Sequence, residues 1–173
     1  MIPSEPDALD FSSVRTPIGE LALIATPRGL SEVRFPSRSR HFGARAKHGN
    51  PSHAQAREHL ARAARQLEEY FLARRKTFDL SLDLRGGDYQ LRVWRALAGI
   101  PYGETRTYGE LARLLGNAQS ARAVGLGCAT NPIPIIIPCH RVLSSTGSLQ
   151  GFGGGLWRKR ALLQLEQGQE ILF

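Results

Sequence analysis

Short apolar runs dominate the beginning of the chain. Two of them, Leu21–Thr26 and Leu30–Phe35, lie on either side of Pro27-Arg-Gly29. Apolar runs of strand length that are separated by a proline and glycine turn are typical of paired strands. The pattern therefore predicts a β-hairpin within Phe11–Phe35.

Three further patterns follow in this half of the chain. Residues 36–51 show no period, and we expect a mobile loop there. Residues 54–72 carry apolar side chains at helical spacing, which predicts a helix with one side packed on the sheet. That side consists of Leu60, Ala64, Leu67, Tyr70 and Phe71. Residues 77–84 alternate apolar and polar side chains, which predicts a half-buried strand.

After Arg85-Gly-Gly87, a plausible domain boundary, the pattern becomes helical. Asp88 is placed to cap a helix that carries apolar residues at helical spacing and ends at Gly99. Thr107–Glu110 has the form of a capping box, which predicts a second helix ending at Gly116-Asn117. The second half should consist mainly of short helices.

A third short helix, Ser120–Cys128, follows the second after a tight turn. Two helices joined in this way in a basic segment form the helix-turn-helix pattern, which also occurs in helical cores that never contact DNA. The third helix is built mainly of small residues, namely Ala121, Ala123, Gly125, Gly127 and Ala129. Small residues allow close approach to a DNA groove and equally close packing of two helices, so the pattern alone leaves both open.

The charge of the chain points to its partner rather than to its fold. The formal net charge is +8 and the isoelectric point is about 10.3, which favours binding to nucleic acid. Residues 89–173 contain nine Lys or Arg against four acidic residues. A solvated basic surface without function is the alternative on charge alone.

Composition excludes several other classes of protein. No apolar run is long enough to span a bilayer, and the first residues lack the features of a signal peptide, so we expect a cytoplasmic protein without a membrane partner. Cys128 and Cys139 are the only cysteines, too few for a zinc half-site or a disulfide framework. His41, His48 and His59 lack partners at ligand spacing, and we expect neither a metal nor a cofactor.

The segment Asn131–Val142 carries the candidate chemistry. Its three prolines exclude a regular helix, and Ile135–Ile137 should bury it. This rigid, proline-containing segment leads directly to Cys139, which is followed in the sequence by His140. A lone intracellular cysteine is most often a small buried hydrophobe, but a thiol near a base or a positive charge can become a reactive thiolate. Because neighbours in sequence rarely face each other, we expect any proton path to His140 to be indirect.

These motifs together resemble the O6-alkylguanine-DNA alkyltransferases. The match runs from about Tyr89 to Glu166, whereas residues 1–88 match only in outline. The residues that carry it are Tyr102-Gly-Glu104, Tyr108, Ala121–Gly125, Asn131-Pro132 and Pro138–Val142. The cysteines with which some family members bind zinc in the N-terminal part are missing here, which agrees with the expectation of no metal.

The resemblance assigns roles to the reactive residues. It implies that Cys139 accepts an alkyl group, that His140 takes its proton through a bound water, and that Glu166 orients the histidine. Asn131 would hold the reactive residues in position without contacting the substrate. Without the resemblance, Glu166 would be an ordinary charge at a helix end.

The resemblance also implies contacts with the damaged DNA. Tyr108 would donate a hydrogen bond to the damaged guanine, and Arg122 would enter the duplex where the flipped nucleotide had been. Asn117 and Ser145 match further DNA-contact positions, and Arg141 is assigned to the same group. The small-residue helix would enter the minor groove, with little sequence readout.

The expected protein is thus a two-domain α/β (α+β) chain. Residues 1–88 would form a ribonuclease H-like domain, and residues 89–173 a mostly helical domain with a winged helix-turn-helix. We expect single-turnover repair of O6-alkylguanine, extending to O4-alkylthymine, in double-stranded DNA. A monomer is expected, and cooperative binding on DNA is left open.

Three alternatives compete with this hypothesis. A non-catalytic module that senses alkylated DNA would not need Cys139. A cysteine hydrolase would need an oxyanion hole, which the sequence does not reveal, and the adjacent Cys139 and His140 have the wrong spacing for a direct pair. A winged-helix regulator would need neither a thiol nor the proline run.

Overall fold

The computed structural model describes residues 9–36, 54–116 and 121–169. The chain divides into two compact units, residues 1–84 and 85–173. The predicted loop at 36–51 lies almost entirely outside the described residues. None of the helices in the described ranges combines the length and the apolar character that crossing a membrane requires.

A three-stranded antiparallel sheet forms the base of the first unit. Its strands are β1 (Asp10–Thr16), β2 (Gly19–Thr26) and β3 (Gly29–Arg34), in the order β1-β2-β3. The predicted hairpin corresponds to β2 and β3. The pattern did not separate β1, because only Asp10 and Val14 of its seven residues are buried.

The predicted helix on this sheet is confirmed as α1 (Ala54–Phe71), which packs against all three strands. Its buried side includes Ala63 rather than the predicted Ala64. Gln66 is also buried, and its side chain exchanges two 2.9 Å hydrogen bonds with the backbone of Asp79. A buried amide is stable there because both of its polar ends are satisfied.

The predicted strand at 77–84 is largely wrong. Regular pairing is limited to one parallel bridge between Leu30 and Leu82, flanked by a hydrogen bond from the Leu30 amide to the Ser81 carbonyl. Gly29 allows this approach, because a Cβ at this position would lie 2.4 Å from the Ser81 oxygen. The alternation describes the shielded side chains up to Leu82, whereas Asp83 is shielded as well. Burial alone does not supply a neighbouring strand.

The second unit begins with α2 (Asp88–Ala98), which ends at Gly99 as predicted. The N-cap is Gly87 rather than Asp88, and the Gln90 side chain accepts a 3.0 Å hydrogen bond from the Gly87 amide. The Trp94 indole donates a 2.9 Å hydrogen bond to the Gly127 carbonyl. This bond ties α2 to the small-residue helix.

The predicted pair of short helices is present as α3 (Tyr108–Leu114) and α4 (Ala121–Ala129), which pack on each other. The capping box is confirmed, since Thr107 Oγ1 accepts from the Glu110 amide and the Glu110 carboxylate accepts from the Thr107 amide. The predicted starting residue Ser120 lies outside the described residues. A Cβ at Gly127 would lie 2.7 Å from Val93 Cγ1, so this small residue serves helix packing.

A parallel pair of short strands and a final helix complete the unit. The strands are β4 (Arg106–Thr107) and β5 (Val142–Leu143), and the helix is α5 (Leu156–Glu166). A single 3₁₀ turn, Cys139–Arg141, leads directly into β5. The reactive motif is therefore anchored on its carboxyl side by backbone pairing.

Candidate active site

The segment before Cys139 is held by hydrogen bonds to its own backbone. Asn131 Nδ2 donates to the Ile137 carbonyl at 2.7 Å, and Asn131 Oδ1 accepts from the Ile133 amide at 3.0 Å. Between them, Ile135 has φ 77°, a left-handed conformation that β-branched residues rarely adopt. Both polar ends of Asn131 thus stabilise an unusual turn that fixes the position of Cys139.

Cys139 is buried, with 6% of its surface exposed. Burial raises the pKa of its thiol, whereas a hydrogen bond from Asn131 and the charge of Lys159 act in the opposite direction. A thiol in this environment is protonated at rest. It therefore needs a base before it can act as a nucleophile.

His140 is fully buried and is oriented by Glu166. Its Nε2 lies 2.8 Å from Glu166 Oε1, and since a carboxylate only accepts, Nε2 carries the hydrogen. Burial lowers the pKa of His140 despite the opposing effect of Glu166, so the ring is neutral and Nδ1 has a free lone pair. Nδ1 is buried and has no hydrogen-bond partner among the described residues.

Arg141, predicted as a DNA contact, lies inside the protein next to Glu166. It is buried at 5% exposure, and its Nε and Nη2 donate to the Glu166 carboxylate at 2.9 and 2.8 Å. Its Nη1 donates to the Ile100 carbonyl at 2.5 Å. All three guanidinium nitrogens are occupied by these bonds, which support a structural role. The DNA contact assigned to Arg141 stays a prediction.

Glu166 is the centre of this network. Besides His140 and Arg141, it accepts a 3.1 Å hydrogen bond from the Gly103 amide. Burial by itself would raise the pKa of Glu166, but the hydrogen bonds from His140 and Arg141 lower it to about 2. The carboxylate is therefore ionised at neutral pH, and its charge is balanced by the buried guanidinium.

A cleft of about 560 Å³ lies in the same unit as this network. Its walls come from α3, from α4 and from the glycine-rich loop before α5. The lining residues are Tyr108, Ala121, Arg122, Gly125, Ala129, Gln150, Gly151, Phe152 and Gly153. The cleft has the size of a site for a nucleobase-sized ligand.

Tyr108 is an aromatic side chain with a polar end on the cleft wall. Its hydroxyl donates to the Gln150 carbonyl at 3.3 Å. Burial, with smaller effects of Cys128 and Cys139, raises the pKa of Tyr108 to about 12. The phenol therefore keeps its proton and can act as a hydrogen-bond donor in the cleft.

The remaining predicted DNA contacts are placed as follows. Arg122 is exposed and lines the cleft, and Ser145 is exposed in the turn after β5. Asn117 lies outside the described residues. Cys128 is buried on α4 and remains a free thiol, and burial raises its pKa to about 12. Within the described ranges, no cluster of three or more His, Cys, Asp or Glu side chains could hold a metal ion.

Comparison with known protein families accounts for this arrangement. Residues 88–168 match the family model described as 6-O-methylguanine DNA methyltransferase, DNA binding domain. Residues 11–84 match the model for the ribonuclease-like domain of the same methyltransferase. The chain belongs to the O6-alkylguanine-DNA alkyltransferase family.

Individual alkyltransferases agree along almost the whole chain. The methylated-DNA–protein-cysteine methyltransferase of Mycobacterium bovis is 44% identical over 93% of this chain and 94% of its own length. The protein of the same name from Methanosarcina acetivorans is 43% identical over 90% of this chain and 97% of its own. The resemblance inferred from the motifs is therefore confirmed, and with it the enzyme class and direct-reversal DNA repair.

A solved alkyltransferase structure confirms the fold. The Mycobacterium tuberculosis OGT in complex with DNA superposes with a TM-score of 0.78 and 43% identity, covering 92% of this chain and 93% of the other. The two-domain α/β architecture predicted from the sequence is thus confirmed, and the matched DNA binding domain supports DNA as the partner of this chain.

Lys159 is the residue of the site that the sequence analysis missed. It is fully buried on α5 between the less buried Arg158 and Arg160, and in the sequence it looks like one of three surface cations. The signal that could have identified it is helical spacing. Lys159 precedes Glu166 by seven residues, which places both on one face of the helix.

Proposed function

We propose that Cys139 takes the alkyl group of O6-alkylguanine in double-stranded DNA onto its own sulfur. The observation that carries this proposal is the buried His140, whose Nε2 is fixed by Glu166 at 2.8 Å while Nδ1 has no protein partner. A neutral imidazole held in this tautomer can accept a proton at Nδ1 and so act as a general base. The adjacent thiol is the group that must lose one.

The proposed reaction conserves protons and electrons. The Cys139 proton passes through a water molecule to Nδ1 of His140, and the thiolate attacks the alkyl carbon opposite O6. The S–C bond forms as the C–O6 bond breaks, and the electron pair moves into the guanine ring. Tyr108 donates a hydrogen bond to the base, which takes up one proton from water and leaves as neutral guanine. His140 returns the Cys139 proton to water, so that one alkyl group is exchanged for one proton overall. The thioether resists thiol exchange, so each protein acts once.

The cleft and α4 account for binding of the damaged base. Ala121 and Gly125 give the helix a low profile on the cleft wall, next to the exposed Arg122. Such a helix fits the minor groove. The flipped guanine would enter the cleft, and Arg122 would fill the gap in the duplex and offset part of the stacking that is lost.

The same chemistry extends to O4-alkylthymine, whose alkyl–oxygen bond is of the same kind. Competing transfer from the two lesions measures this preference. One protein molecule should repair one lesion as a monomer. Titrating the protein onto duplexes of several lengths distinguishes binding of single molecules from cooperative binding.

Intact-protein mass spectrometry after mixing with an O6-methylguanine duplex tests the proposal. The wild-type protein should gain one methyl group on Cys139, and Cys139→Ser should gain none while still binding the duplex. Cys128→Ser is the matched control, because it removes the other buried thiol and should leave the transfer intact. Binding without any methyl gain in the wild-type protein would instead favour the non-catalytic sensor of alkylated DNA.

A further inference from the structure

Lys159 is fully buried, and the reaction described above does not use it. Its ammonium group donates to the carbonyl oxygens of Val142 at 2.6 Å and Gln150 at 2.7 Å. Short hydrogen bonds to two neutral acceptors are typical of a charged donor. Burying a cation without a carboxylate partner is costly, so the position of Lys159 needs an explanation beyond packing.

The two carbonyl groups belong to the two segments that frame the site. Val142 follows directly on the turn that carries Cys139, and Gln150 lies in the loop that lines the cleft. The Gln150 carbonyl also accepts the Tyr108 hydroxyl, and the Lys159 ammonium lies 6.0 Å from the centre of the Tyr108 ring. Lys159 therefore joins the strand that follows the Cys139 turn to the loop that lines the cleft.

The charges around the thiol leave an electrostatic role for this ammonium. Glu166 is paired with Arg141, and His140 is neutral at rest. Tyr108 and Cys128 also face this region, and both stay protonated because burial raises their pKa to about 12. Burial raises the pKa of the Cys139 thiol and lowers the pKa of Lys159, and the attraction between the thiolate and the ammonium opposes both shifts.

We propose that Lys159 is a positioning residue for the alkyl transfer: held by the Val142 and Gln150 carbonyls, its ammonium stabilises the Cys139 thiolate as it forms. This inference rests on the proposed transfer to Cys139. A cation in a site shielded from water acts on a nearby anion more strongly than it would at the surface. It would therefore compensate part of the cost of making a thiolate in a buried position.

Lys159→Met removes the charge and keeps an unbranched side chain, and Arg160→Met removes an exposed cation from the neighbouring position of the same helix. Both changes are made in the Cys128→Ser protein, so that Cys139 is the thiol that titrates. The measurements are the rate of methyl transfer from an O6-methylguanine duplex as a function of pH, and the thiolate absorbance of the free protein.

We expect Lys159→Met to raise the apparent pKa of Cys139 by about one unit or more, which lowers transfer at neutral pH about tenfold. The rate should recover towards the control value at higher pH, and Arg160→Met should leave the profile unchanged. An equal loss at every pH would indicate support of the loop only and would overturn the proposal, as would an unchanged rate. If Lys159→Met does not fold, Lys159→Gln is tested instead, because its amide can still donate a hydrogen bond to a carbonyl. The same dependence of the transfer rate on pH then decides the outcome. Failure of the proposed function is distinct, because the parent protein itself would then gain no methyl group.

Discussion

Replacing Glu166 by glutamine perturbs the buried network at its centre. The carboxylate accepts hydrogen bonds from His140, from two nitrogens of Arg141 and from the Gly103 amide. A glutamine side chain has one oxygen and turns its NH₂ group towards some of these donors. The Arg141 guanidinium then remains buried without a counter-charge.

The size of the effect follows from the burial of both partners. Removing one member of a buried ion pair costs about 3–5 kcal/mol, a large part of the roughly 5–15 kcal/mol that keeps a domain folded. The alkyl transfer should slow by a factor on the order of 10²–10⁴, because His140 loses the group that fixes its tautomer as a general base. Denaturant unfolding measures the stability, and mass spectrometry of the methylated protein measures the rate.

Two further variants separate the stability from the chemistry. Glu69→Gln breaks a more exposed ion pair with Arg75 and should cost less than about 1 kcal/mol. Combining Glu166→Gln with Arg141→Met removes the unpaired cation and should restore part of the stability but not the transfer rate. A Glu166→Gln protein with nearly wild-type stability and rate would refute the reasoning.

Other predictions test packing, DNA contact and pH dependence. Gly127→Ala should destabilise the protein by about 1–3 kcal/mol in denaturant unfolding, since its Cβ would lie 2.7 Å from a side chain of α2; Gly109→Ala, with no atom within 4 Å of the new Cβ, should not. Arg122→Ala should slow transfer from duplex DNA and change stability by no more than about 0.5 kcal/mol; equal transfer from duplex by both proteins would contradict its role. The pKa values of His140 and Glu166 are both lowered by folding, to about 2 for Glu166, so the unfolded chain binds protons first and stability is lost as pH falls. Unfolding followed against pH should show this loss beginning below the ordinary pKa of histidine and continuing towards about 2, and stability that is flat over this range would contradict it.

Local signals along the chain predicted those elements whose stability is local. The capping box at Thr107 and the helix stop at Gly99 were identified because the groups involved are close in sequence. The strand β1 was missed because its partner β2, and not its own side chains, determines its conformation. The predicted strand at 77–84 failed for the converse reason, since its alternation is real but only Leu82 finds a bridge partner.

The site shows the same division. Cys139, His140 and Asn131 lie within one short motif and were recognised together. The burial of Arg141 could not be read from the sequence, because its partners Ile100 and Glu166 are 41 and 25 residues away. In the sequence alone, Arg141 is a basic residue beside a reactive thiol in a DNA-binding chain, which suggests a DNA contact. Its ion pair with Glu166 becomes evident only in the structure.

The long separation between His140 and Glu166, 26 residues, has a consequence for the newly made protein. During synthesis the ribosome completes the thiol and the imidazole well before the carboxylate that orients them. Until α5 packs against the Cys139–Arg141 turn, His140 has no fixed tautomer and the thiol has no base. The nascent chain therefore carries the thiol before it can perform the proposed transfer, and the activity should appear only once α5 has folded.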